Sequence, residues 1–150
     1  MSTKPADITH SIDIEAPREV VWEVLTGADS VPQWLGCMQY TGVPGSTFYM
    51  QQDRAKYAAG DVSGATHCDI EEMNAPESLR FSWYMPGTPK TMVTVSLKAM
   101  GHDRTRATLT HTGWDLFPAE MVQGIRDMLD GGWKSYVLPN LKLAAEKARA

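Results

Sequence analysis

The side chain best suited to chemistry in this sequence is His111. It lies in the run Arg104–Thr112, where Ala107, Leu109 and His111 alternate with Arg106, Thr108 and Thr110. Period two sends successive side chains to opposite faces of a strand, so His111 shares the apolar face. An imidazole titrates near neutral pH and can orient a carbonyl or hydroxyl, or take a proton as a general base. A base of that kind needs an activating partner. Glu72 is expected on the inward face with Ile70, and Asp115 lies near the start of the following helix. His111 with Glu72 or Asp115 is the candidate acid–base set, and it requires a separation of about 3 Å. The plainer reading weighs more. A solitary inward histidine more often satisfies a backbone carbonyl and closes a corner, and Asp115 is more simply a helix N-terminal charge or cap. No catalytic residue is therefore assigned firmly. His10 is also inward by parity, near a strand end.

Metal chemistry is not expected. Cys37, Cys68, His67 and His111 are scattered, and His67 and Cys68 point to opposite faces of one strand. Two cysteines outside CxxC spacing make neither a zinc site nor a disulfide framework. No GxSxG, P-loop or dinucleotide fingerprint occurs, so no cofactor is expected.

The unusual counts are nine Met and five Trp. Both side chains can line an adaptable apolar surface. Trp34, Met38, Phe48, Met50, Phe81, Trp83, Trp114, Met121, Ile125, Met128, Leu129 and Trp133, with His111, are the candidate lining of a ligand cavity. The competing reading is a core that these residues fill completely.

The elements that must position them follow from periodicity. Ile8, His10, Ile12 and Ile14 alternate with polar residues and predict a strand. Ala16-Pro17 ends it, and Val20, Val21, Val24 and Leu25 predict a helix that stops at Gly27. A short helix over Val31–Leu35 carries Trp34. Strands are then predicted over Thr47–Gln52, Ala65–Met73, Ser78–Met85, Thr91–Met100 and Arg104–Thr112, with Asp53–Ser63 a polar loop. Met121, Ile125, Met128, Leu129, Gly132, Trp133 and Tyr136 recur at threes and fours, which predicts one face of a long C-terminal helix. Roughly 28 helical residues span about 42 Å. Pro139 removes a helix hydrogen bond and should kink it, with the first half over the cavity and the rest packed toward the first strand. Runs of strands with segregated helices predict α+β with an antiparallel sheet, apolar on one face and wet on the other, in one domain over residues 1–150.

The 150 residues are 43% hydrophobic with a net charge of −4, which suits a globular chain. No Lys/Arg cluster stands out, so nucleic acid is not an expected partner. No apolar run approaches the ~18 residues of a membrane span, and the start lacks a signal peptide's apolar core, so a cytoplasmic location is expected. A monomer or a homodimer is compatible with the sequence.

Three stretches carry a family resemblance. They are IDIEAPREVVWEVLTGADSVPQWLG near the N-terminus, LTHTGW at Leu109–Trp114, and GGW at Gly131–Trp133 followed by Leu138 to Leu143. In this order they resemble the START/Bet v 1-like (SRPBCC) superfamily, in its branch similar to the activator of Hsp90 ATPase. The resemblance implies a helix-grip fold, a curved antiparallel sheet wrapped around a long C-terminal helix with two short helices after the first strand. It also implies a cavity between sheet and helix, and hence binding of a small hydrophobic, aromatic or amphipathic molecule, as in the lipid binders of the superfamily. Two other expectations come with it. One is a polyketide cyclase- or aromatase-like enzyme using His111, and the other is a cochaperone-like domain acting on an Hsp90 ATPase. Fold alone leaves the choice open.

Overall fold

The structure, a computed structural model, describes residues 6–117 and 119–149, and of residues 119–121 only the backbone. Six strands form one antiparallel sheet: β1 (Ile8–Ile14), β2 (Thr47–Met50), β3 (Thr66–Asn74), β4 (Ser78–Trp83), β5 (Thr91–Ala99) and β6 (Thr105–Thr112). Their spatial order is β1-β6-β5-β4-β3-β2. The chain runs through β3 to β6 as a meander, and β1 closes the far side against β6 with Ile8 opposite His111 and Ile12 opposite Ala107.

Alternation holds along most strands. In β5, Thr91, Val93, Val95 and Leu97 are buried, and in β6 Thr105, Ala107, Leu109 and His111 are. The opposite face carries Thr94, Ser96, Lys98, Arg106, Thr108 and Thr110. Residues that face water on one side and the core on the other need this period. One break occurs. The pairing of β3 with β4 shifts register between Ile70, which faces Phe81, and Glu72, which faces Arg80. The extra residue turns Glu72 to solvent, against the inward placement read from the sequence.

Most of the helices pack on the apolar face. α1 (Arg18–Thr26) buries Val21, Val24 and Leu25. α2 (Val31–Leu35) is fastened to it by the Trp34 indole, whose Nε1 donates to the Val24 carbonyl at 2.8 Å. A helix not expected from the sequence, α3 (Arg54–Ala59), occupies the stretch read as a loop. Asp53 caps it by accepting from the Lys56 N–H at 3.1 Å, and Gly60 ends it at φ 72°. It buries none of its residues, so it has no apolar periodicity to betray it.

The C-terminal helix comes in three pieces: α4 (Ala119–Gly132), a π-helical turn over Trp133–Val137, and α5 (Leu138–Arg149). The Leu138 N–H bonds back five residues to the Trp133 carbonyl. The irregularity expected at Pro139 therefore precedes the proline. One extra residue in the turn places Pro139 at the start of α5, where a missing N–H does no harm. α5 packs against α1, α2 and β1, burying Leu138, Leu141 and Ala145. It is tied to the end of β1 by Lys142 Nζ, which donates to the Asp13 carbonyl at 3.1 Å, and to the residue after β1 by Arg149, which donates to the Glu15 carbonyl at 2.6 Å. The result is a helix-grip fold in which α5 lies on the filled part of the core.

Candidate ligand-binding site

His111 sits at the join of β6 with the turn to the C-terminal helix, and it is fully buried. Gly113 makes that turn possible. Its φ is 99°, and a Cβ there would stand 3.1 Å from the Thr91 Cα. The turn delivers Trp114 beneath the imidazole, ring centroids 4.4 Å apart, with its Nε1 donating to the His111 carbonyl at 3.1 Å. Trp83 and Trp133 stand edge-on to the same imidazole, each at 6.0 Å.

Both imidazole nitrogens are engaged. The Trp133 Nε1 lies 3.1 Å from Nδ1, and the Thr91 Oγ1 lies 2.7 Å from Nε2. An indole nitrogen can only donate, so Nδ1 must accept and the proton sits on Nε2. Nε2–H then donates to the Thr91 oxygen, whose own hydrogen goes to the Trp83 carbonyl at 2.6 Å. Burial pushes the His111 pKa down to about 3, so the ring is neutral in this chain of bonds. Neither expected carboxylate joins it. Glu72 is exposed and accepts from Asn74 Nδ2 at 3.0 Å, and Asp115 is exposed in the short helical turn Trp114–Leu116. With its lone pair occupied, His111 closes the strand–helix corner.

Around this corner the apolar face behaves in two ways. Beneath α5 the packing is complete. Trp34, Phe48, Phe81, Leu109 and Leu141 surround a void of only about 10 Å³, room for about one water. Trp34, Phe48 and Phe81 are thus core residues. Beneath α4 the packing is open. A cavity of about 200 Å³ is lined by Thr66, Trp83, Tyr84, Met85, Thr88, Pro89, Thr91, Trp114, Phe117, Val122, Ile125 and Leu129. A second, of about 280 Å³, is lined by Met50, Gln52, Trp83, Met128, Leu129, Gly132, Trp133, Tyr136 and Val137.

Of the candidate lining residues, Met50, Trp83, Trp114, Ile125, Met128, Leu129 and Trp133 line one of these cavities. Met38 does not; it pairs with Tyr49 beside β2 and is partly buried. The Met121 side chain lies outside the described residues. The face of α4 is also rotated from the expected one. Val122, Leu129 and Trp133 form the inward stripe, while Ile125 is 51%, Met128 67% and Tyr136 70% exposed at the cavity edge. The apolar set read from the sequence was wider than one helix face, and the sheet takes only its middle.

The sequence reading missed Thr91, Phe117, Val122 and the Tyr84–Pro89 hairpin end. Thr91 was within reach, since its parity matches inward Val93. Tyr84 bounds the first cavity and is held from the outer side, its hydroxyl donating to Asp69 at 3.0 Å; Lys90 Nζ and Thr47 Oγ1 reach the same carboxylate at 3.0 and 2.7 Å. The far edge of α4 is pinned to β1 by His10 Nε2 and Asp130 Oδ1 at 2.8 Å, and by Arg126 Nε, which donates to the Ala6 carbonyl at 2.9 Å. His10 thus faces α4 and lines neither cavity.

Other reactive groups are quiet. Cys37 and Cys68 are free and buried. Burial pushes the Cys37 thiol up to about 12 and the Cys68 thiol well above its usual value. Among the described residues no group of three His, Cys, Asp or Glu side chains could hold a metal ion. No helix among them is long and apolar enough to cross a membrane.

Residues 15–146 match the family described as Activator of Hsp90 ATPase homolog 1-like protein. The chain belongs to this family. Its fold is similar to that of an HSP90 activator from Plasmodium falciparum, 17% identical over 91% of this chain and 94% of the other, with a TM-score of 0.71. A protein from Mesorhizobium loti is 17% identical over 95% and 96%, with a TM-score of 0.69. The Aha1 dimer from Colwellia psychrerythraea is 18% identical over 97% and 99%, with a TM-score of 0.68. At these identities the likeness is one of fold. Among curated proteins none is similar enough in sequence to match.

Proposed function

We propose that this family member is a binding protein for a small hydrophobic or aromatic molecule, held between α4 and the ends of β3, β4 and β5. The observation that carries the reading is the contrast between the two halves of the core. Under α5 the side chains close to about 10 Å³, while under α4 they leave about 200 and 280 Å³. Together the two spaces under α4 make an open apolar cleft beside an otherwise close-packed core, the usual form of a ligand site. Three indoles line it, and large rigid aromatic surfaces bind apolar molecules at small entropic cost. Native mass spectrometry of the purified protein tests the reading. A co-purified small molecule, released by organic solvent, is the expected result. A ligand-free chain that also fails to take up a naphthalene-sized probe overturns it.

An acid–base role is the weaker alternative, because both His111 nitrogens are occupied and no carboxylate among the described residues approaches them. Stimulation of an Hsp90 ATPase is supported by the family's name and by the Plasmodium activator's fold. Its test is direct: an Hsp90 ATPase rate unchanged by this protein removes it.

A further inference from the structure

The two cavities share two lining residues, Trp83 and Leu129. They are adjoining lobes with a two-residue wall between them. Their sizes matter here. A dry apolar cavity of about 150 Å³ holds one benzene ring, whereas sites for larger ligands run from about 300 Å³ upward. Each lobe, at about 200 and 280 Å³, suits one ring system and falls short of a full ligand site. Joined across the wall, they reach that range.

The wall is also where a polar contact is on offer. Trp114 and Trp133 spend their indole N–H groups on His111. The Trp83 N–H bonds to none of the described residues, and it is not a buried orphan. Trp83 is partly buried, and its side chain rests on Trp133 with centroids 5.2 Å apart at 69°. Among the indoles of the site it alone keeps its N–H unspent.

Building on the binding function proposed above, we infer that the site takes one two-part molecule: two ring-sized apolar groups joined by a short linker that carries an oxygen acceptor. One group fills each lobe, the linker crosses between Trp83 and Leu129, and the Trp83 N–H donates to the linker oxygen. Trp83 is then the residue that sets specificity.

Three probes decide this by calorimetric titration: toluene, 1,3-diphenylpropane and 1,3-diphenylpropan-2-one. Both two-ring probes should bind one per chain and at least tenfold more tightly than toluene, since the second ring buries a further apolar surface. The ketone should bind about threefold to tenfold more tightly than the hydrocarbon, the worth of one added hydrogen bond. Trp83→Phe keeps a ring and loses the donor, so it should abolish the ketone's advantage while both two-ring probes still bind. Trp22→Phe, on α1 and outside both lobes, should keep that advantage. A ketone preference that survives Trp83→Phe overturns the inference. So does binding of toluene with no gain from a second ring, which would leave the binding function intact. No binding by any of the three overturns both.

Discussion

Trp133 donates its indole N–H to Nδ1 of His111 across 3.1 Å, and that bond dictates the protonation of the imidazole. It makes Nδ1 an acceptor, puts the proton on Nε2 and sets the direction of the bonds through Thr91 to Trp83. The two residues come from β6 and from the π-helical turn. A single hydrogen bond thus fixes the sheet to the C-terminal helix at the point where the packed half of the core gives way to the open half.

The first prediction concerns pH. His111 has a folded pKa of about 3, below the ~6.5 of an unfolded histidine. Between those values the unfolded chain binds a proton that the folded chain refuses. Stability from this group is therefore complete above about pH 6.5 and is lost as the pH falls toward 3, on the order of a few kcal/mol in all. Urea unfolding at pH 7 and pH 4 should show a smaller loss for His111→Phe than for the parent chain. Equal losses would contradict a buried neutral imidazole.

A second prediction concerns the chain of bonds. Trp133→Phe leaves Nδ1 without its donor, and Thr91→Val removes both the acceptor for Nε2–H and the donor to Trp83. Each should cost about 1–3 kcal/mol of stability. Combined, they should fall short of additivity, because both act on one imidazole. Strictly additive losses would show that the two bonds are independent.

The glycines give a third, with opposite signs. A Cβ at Gly124 or Gly131 would meet nothing within 4 Å, and both lie inside α4. Gly131→Ala should stabilise the chain by up to about 1 kcal/mol through helix propensity. Gly113→Ala should destabilise it by more than about 1 kcal/mol, since φ is 99° and the Thr91 backbone stands 3.1 Å from the new atom. Thermal denaturation of the two variants reads both signs.

Much of the fold was legible because it rests on period two. The alternation Ala107, Leu109, His111 located β6 and the inward histidine, and the Ile8–Ile14 pattern located the strand that pairs with it. Three features were hidden for physical reasons. One inserted residue between Ile70 and Glu72 reverses the parity of everything after it, and no residue type announces it. α3 buries none of its residues and is held by the Asp53 cap, with no buried stripe to read. The apolar positions of α4 spread beyond the arc that a sheet can cover, so periodicity could not say that Val122 goes in while Met128 stays out. The cavity itself depended on where α4 rises off the sheet, which is a property of packing and not of pattern.

The most direct test of the binding site uses the five indoles as reporters in a proton–nitrogen correlation spectrum during titration with an apolar aromatic probe. Trp83, Trp114 and Trp133 line the open lobes, while Trp34 sits in the filled core and Trp22 on α1. The indole signals of Trp83, Trp114 and Trp133 should shift with a common dissociation constant, and those of Trp22 and Trp34 should stay in place. Shifts confined to Trp22 or Trp34, or no saturable shift at any indole, would contradict a ligand site beneath α4.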